Sequence, residues 1–113
     1  MSVSPSYKTF VLEQLQVVGT VTAKPMFGGV GLYCQGLFFG LIDDDTLYLK
    51  VDDATRPHFE RAGSQPFLPY GDEGHAMQYY ELPAAVLEDR MAVRPWVEQA
   101  LEAAQRRAAG KRK

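Results

Sequence analysis

Two histidines, one cysteine and a run of aspartates are the residue types in this 113-residue sequence that most often do chemistry. His58 falls on a short predicted helix and His75 at the start of a predicted strand. Neither has a carboxylate placed by motif to orient its imidazole as a general base. Cys34 sits in a strand-like run with no cation or helix start nearby to favour the thiolate, so it reads as a small buried hydrophobe. Asp43-Asp44-Asp45 lacks the alternate spacing, the glycine and the distal glutamate of a calcium loop, and reads as a solvated turn. Gly28-Gly29-Val30-Gly31 invites a phosphate-loop reading, but strand pattern follows it where a helix N-terminus is required. Its glycines are better suited to a bulge or a close backbone approach as the chain enters a sheet. The expectation is no catalytic, cofactor-binding or metal site and no enzyme activity.

The residues left over suit binding. Aromatics are numerous along the chain, among them Phe27, Tyr33, Phe38, Phe39, Tyr48, Phe67, Tyr70, Tyr79, Tyr80 and Trp96. An RNA-binding sheet would display such rings within a basic surround, and only Lys24 and Lys50 lie in or near the strands here. Core packing and a protein interface are the readings that the composition favours. The net charge of −2 hides an asymmetry. Five of the 12 Lys and Arg residues (Arg106, Arg107, Lys111, Arg112 and Lys113) follow residue 104, and none of the 14 acids does. The first 104 residues therefore stand at −7, a poor balance for gripping phosphates. The basic end suits a solvated helix terminus or, as an alternative, direct nucleic-acid binding together with Lys24 and Lys50.

The elements that would position these side chains follow from periodicity. Ser4-Pro5 starts a helix in which Tyr7, Phe10, Val11, Leu15 and Val18 share a face, with Gly19 as its end. Three strands are predicted over 30–34, 37–42 and 46–51, joined by Gln35-Gly36 and by the aspartates, and such short links require antiparallel pairing. In the third, Leu47, Leu49 and Val51 share one side, and Tyr48 and Lys50 the other. Thr55 is placed to cap a short helix containing Arg56, Pro57 and Phe59 and ending at Gly63. A second hairpin is predicted from 67–70 and 75–81 across Gly71-Asp72-Glu73-Gly74, with Pro69 marking an edge. Leu82-Pro83 opens a helical turn, and a last helix carries Val93, Trp96, Val97, Ala100, Leu101 and Ala104, with Pro95 near its start. The predicted class is α+β, with an antiparallel sheet of about five strands in the order α-β3-α-β2-α and helices packed on it. Residues 1–104 form one domain and 105–113 a basic tail. With no signal-like or membrane-spanning run and a single cysteine, the expected setting is the cytoplasm.

The residues in order resemble a known family. Lys24-Pro25-Met26-Phe27-Gly28-Gly29 followed by Gly31-Leu32-Tyr33 is similar to the signature of TfoX/Sxy N-terminal domains. The similarity continues through Leu47-Tyr48-Leu49-Lys50-Val51-Asp52, Arg56-Pro57 with Phe59, Ala62-Gly63-Ser64 and Pro66-Phe67. It closes with Met77, Tyr79, Leu82-Pro83, Leu87-Glu88-Asp89 and Trp96, and departs from the common pattern at Pro25 and Val30. The resemblance implies a secretion-chaperone-like α+β fold without catalytic residues or cofactors. It also implies a regulator of competence genes that assists a transcription protein, whose full-length forms carry a second, C-terminal domain.

Combining both lines, the expected function is a non-enzymatic regulatory module acting through protein contacts, either as a homodimer or with a transcription factor. Candidate contact residues are Tyr33, Tyr48, Lys50, Tyr79, Arg106, Arg107, Lys111, Arg112 and Lys113. The alternatives are direct nucleic-acid binding through the tail, and a small-molecule-binding domain.

Overall fold

Ser4 starts the first helix by accepting a hydrogen bond from the backbone N–H of Tyr7 at 3.3 Å, with Pro5 in the first turn where its missing donor costs nothing. The computed structural model describes residues 3–26, 29–67 and 78–111. The helix α1 runs Pro5–Leu15 and buries Val11, Gln14 and Leu15. One 3₁₀ turn over Gln16–Val18 then carries the chain to Gly19, so the α-helix itself ends a turn before the expected glycine.

The strands β1 (Val21–Met26), β2 (Gly29–Cys34), β3 (Leu37–Asp43), β4 (Thr46–Lys50) and β5 (Tyr79–Glu81) form one antiparallel sheet in sequential order. The order of elements is corrected in one respect: four strands precede the helix α2 (Arg56–Arg61) and one follows it, among the described residues. The missed strand is β1. Its inward Val21 and outward Thr22 and Lys24 alternate as a strand should, but Pro25 reads as a breaker. At a sheet edge the missing N–H of a proline faces no partner, so the strand tolerates it. On the other side, Pro66 bridges Tyr80 and the Phe67 N–H donates to the Tyr79 carbonyl at 2.8 Å. The rest of the expected second hairpin, 68–77 with Tyr70 and His75, lies outside the described residues.

Both tight turns have two residues at positive φ, the geometry that matches strand twist. Gln35 and Gly36 stand at 53° and 80°, Asp44 and Asp45 both at 52°. Aspartate accepts that region better than most side chains, and the Asp45 carboxylate also takes the N–H of Ser4 at 2.7 Å. The acidic run is thus a turn that ties the chain start to the sheet. Gly29 has a different reason to be glycine: a Cβ there would run into the carbonyl oxygen of Ile42 on β3.

The four α-helices among the described residues lie on one side of the sheet. Leu32, Phe39, Ile42, Leu47 and Leu49 meet Val11 and Leu15 of α1, Phe59 of α2, Leu87 of α3 (Ala84–Leu87), and Val93, Val97 and Ala100 of α4 (Arg90–Lys111). Buried alanines at 100, 103 and 104 let α4 approach the strands closely. Pro95 lies one turn deeper in α4 than expected. It is exposed, as is Met91 four residues before it, so the carbonyl left without a donor faces water. Thr55 is also corrected, because its side chain makes no cap bond to α2. The Asp52 carboxylate instead closes the turn before α2, accepting from the N–H groups of Ala54 and Thr55 at 3.1 Å each. No helix among the described residues is long and apolar enough to cross a membrane.

Candidate interaction face

Because strand side chains alternate, every helix-facing residue implies a neighbour on the opposite side. On β4 these are Tyr48 and Lys50, on β2 Tyr33, on β3 Leu41 and on β5 Tyr79. Phe38 joins them through an irregularity: the pairing shifts between Leu32↔Gly40 and Tyr33↔Phe38, which makes Phe39 an extra residue. The bulge sends Phe39 into the helix-side core and leaves Phe38 opposite Tyr33.

The result is a continuous row across all five strands. The Lys24 ammonium lies 5.1 Å from the centre of the Tyr33 ring. Tyr33 stacks on Phe38 at 5.2 Å, and Phe38 meets Tyr79 at 5.5 Å. The Lys50 ammonium lies 4.7 Å over the Tyr79 ring and donates to its hydroxyl at 3.2 Å. Tyr48 packs on Phe67 at 4.9 Å beside the row. Leu41, Phe67 and Tyr79 are buried, whereas Tyr33, Phe38 and Tyr48 are half-buried. Among the described residues no helix packs on this side.

Burial pushes the Tyr79 hydroxyl up to about 12; Tyr33 adds to the rise and Arg107 opposes it. Tyr48 is also raised, first by burial and then by Glu81, Asp43 and Asp44. Both phenols stay neutral near pH 7, so they offer hydrogen bonds rather than proton transfer.

At the Phe38–Tyr79 end the row opens into a groove of about 780 Å³ between the β2–β3 turn, the end of β4 and the last turns of α4. Its ion pairs are ordered. The Arg106 guanidinium grips Asp52 through both carboxylate oxygens, the second at 3.1 Å, and holds that carboxyl below its usual range. Arg56 bonds Asp53 at 2.9 Å and the Gln78 side-chain oxygen at 2.6 Å. Arg107 also lines the groove and makes no hydrogen bond or ion pair among the described residues. Since α4 runs to Lys111, Arg106 and Arg107 belong to a helix packed on the body rather than to a tail. The side chain of Lys111, with Arg112 and Lys113, lies outside the described residues.

The remaining candidates fall into packing. His58 stacks on Trp96 at 4.0 Å, and its Nδ1 meets the Gln99 side-chain oxygen at 3.0 Å. Phe59 meets Trp96 edge-on at 4.8 Å, so this cluster fastens α2 to α4. Cys34 is buried on the helix side. No group of three His, Cys, Asp or Glu among the described residues is placed to hold a metal ion. Of the signature residues, Gly29, Leu32, Pro57, Phe59, Gly63 and Trp96 build the scaffold, while Gly31 pairs with Leu41 and with Lys24. Tyr33, Tyr48, Lys50, Phe67 and Tyr79 come together on the open side. Pro66 ends on the β5 edge. Phe27, Gly28, Met77 and the Met26 side chain lie outside the described residues. Sequence reasoning missed Phe38 as a surface residue, because an adjacent pair of phenylalanines hides which one the bulge turns outward.

In comparison with known families, the sequence model of the family described as TfoX N-terminal domain matches residues 13–104. No curated protein matches the chain.

Proposed function

The chain belongs to the TfoX N-terminal domain family, and on that premise we propose that it is a regulatory module that works without catalysis, by contact with another protein in transcription control. The observation that supports this is the sheet side on which no helix packs among the described residues, where Tyr33, Phe38, Tyr48 and Tyr79 form a row edged by Lys24 and Lys50. Aromatic rings on a rigid sheet are low-entropy contact groups, and tyrosine with arginine is enriched at interface hot spots. Among the described residues, the neutral phenols, His58 stacked on Trp96 and the buried Cys34 supply no paired nucleophile and base.

A cytoplasmic setting and a homodimeric state belong to the same reading. The β1 edge carries Lys24 and Pro25, which discourage edge-to-edge pairing, so a dimer would form through the aromatic side. The test is affinity capture from a bacterial lysate with the natural protein and with Tyr33→Ala/Phe38→Ala. Reproducible partners retained by the first and lost by the second support the module; equal profiles count against it. Light scattering at micromolar concentration reads the dimer, and a monomer at every concentration removes that part.

Nucleic-acid binding is the second reading, favoured by the placement of Lys24 and Lys50 on one side with the aromatics. It requires affinity that falls steeply with salt. Two observations weigh against it: each lysine already covers the face of the ring a base would use, and Arg106 is committed to Asp52.

A further inference from the structure

The groove at the end of the aromatic row has a charge opposite to that of the body around it. Four cations and two carboxylates line it, whereas residues 1–104 stand at −7. Both carboxylates are engaged, Asp52 by Arg106 and Asp53 by Arg56. Arg107 sits on the exposed side of α4 with its fork of donors unused among the described residues, beside the apolar wall of Leu37, Phe38 and Tyr79. A positive end and an aromatic wall within one groove are two halves of a recognition site.

Resting on the protein-contact reading above, we propose that this groove docks a short acidic peptide segment of a partner. A carboxylate of the segment pairs with Arg107 near Lys50, and an adjacent apolar side chain lies against Phe38 and Tyr79. Guanidinium recognises carboxylate through two parallel hydrogen bonds, which fixes the orientation of the segment. The neighbouring pairs Arg106–Asp52 and Arg56–Asp53 hold the walls of the groove in place. The acidic body limits what can approach. A nucleic acid brings one negative charge per phosphate and meets repulsion wherever it leaves the groove, whereas a peptide with two or three carboxylates keeps its charge inside it. The covered rings point to the same occupant: with Lys24 over Tyr33 and Lys50 over Tyr79, those two rings offer edges to a side chain rather than faces to a base.

The experiment is fluorescence anisotropy with three labelled probes: an acetylated hexapeptide alternating glutamate with leucine and phenylalanine, the same peptide with lysine for glutamate, and a twelve-residue oligothymidylate. The expected result is binding of the acidic peptide alone, weakened by salt, with affinity reduced about tenfold or more by Arg107→Glu. Lys8→Glu makes the same change in net charge on α1, far along the chain from the groove, and should leave binding within about twofold. Circular dichroism confirms that both variants fold. No binding of the acidic peptide, equal loss in both variants, or preference for the lysine peptide or the oligothymidylate each overturns the proposal. Lysate partners that survive Arg107→Glu but are lost with Tyr33→Ala/Phe38→Ala would overturn it while leaving the protein-contact reading standing.

Discussion

The two sides of the sheet are built from the same five strands and differ in what finishes them. On the helix side, Leu32, Phe39, Ile42, Leu47 and Leu49 disappear completely beneath four helices. On the other side, Tyr33, Phe38 and Tyr48 stay half-buried while Phe67 and Tyr79 are buried, and lysines lie over Tyr33 and Tyr79. The helix side holds the larger buried core, and the other side has a smaller one, Leu41, Phe67 and Tyr79, flanked by rings that stay partly exposed. If the larger core suffices for folding, those partly exposed rings are free for the contact proposed above.

That contrast is broken most directly at Phe59 and Phe38. Phe59 is fully buried beneath Trp96 and the sheet. We expect Phe59→Ala to cost about 3–5 kcal/mol in urea denaturation, enough to unfold much of the protein. Phe38→Ala should cost less than half as much while abolishing partner capture. Equal costs at the two positions would mean that both sides are core, and the assignment of separate roles would fail.

Tyr79 tests the boundary between the sides, since it is buried yet belongs to the open row. Its hydroxyl is pushed up to about 12 in the folded protein, mainly by burial, against about 10 when unfolded. A raised folded pKa leaves stability intact below the unfolded value and removes it as pH rises through the folded one. The natural protein should therefore lose roughly 2 kcal/mol relative to Tyr79→Phe between pH 10 and 12. Parallel stability curves would show that Tyr79 ionises freely and that this side is wetter than its packing indicates.

Asp52 joins the groove to the scaffold. Its carboxylate caps the turn before α2 and receives Arg106 from α4. Asp52→Ala should cost about 1–2 kcal/mol at neutral pH, the usual loss when an acceptor bonded to backbone N–H groups and a guanidinium is removed. The Arg106 hydrogen bond is the main cause of its lowered pKa. That contribution is present above the unfolded value near 3.8 and fades as pH falls through the folded one. The gap between Asp52→Ala and the natural protein should accordingly close in acid; a constant gap would assign the cost to lost packing.

How much of this was legible in the sequence follows the same division. Period-two alternation in Leu47-Tyr48-Leu49-Lys50 showed which side chains share a side, and the two-residue links required antiparallel pairing. The strand β1 was hidden by Pro25, whose tolerance depends on being at an edge, a fact of the whole sheet rather than of the segment. Phe38 was hidden for a related reason: the bulge at Phe39 is set by pairing with β2, and no local pattern tells the two phenylalanines apart. The groove was least legible of all, since Arg107 and Phe38 are brought together by the docking of α4. Arg106 read as part of a charged tail because its partner, Asp52, stands 54 residues away.

The finest test lies at Lys24, on the exposed edge of the row. Its ammonium over Tyr33 is worth about 0.5–1 kcal/mol at an exposed site, so Lys24→Ala should scarcely move the denaturation midpoint. It also uncovers the Tyr33 ring face. If the rings serve an acidic peptide in the distant groove, the affinity of the acidic probe should stay within about twofold, since sites without shared partners act independently. If the rings serve as a stacking platform, the freed face gains a base while the phosphates lose a cation, and oligothymidylate binding should change by more than that. The same substitution thus separates a surface read by its edges from one read by its faces, at a position where stability itself is nearly silent.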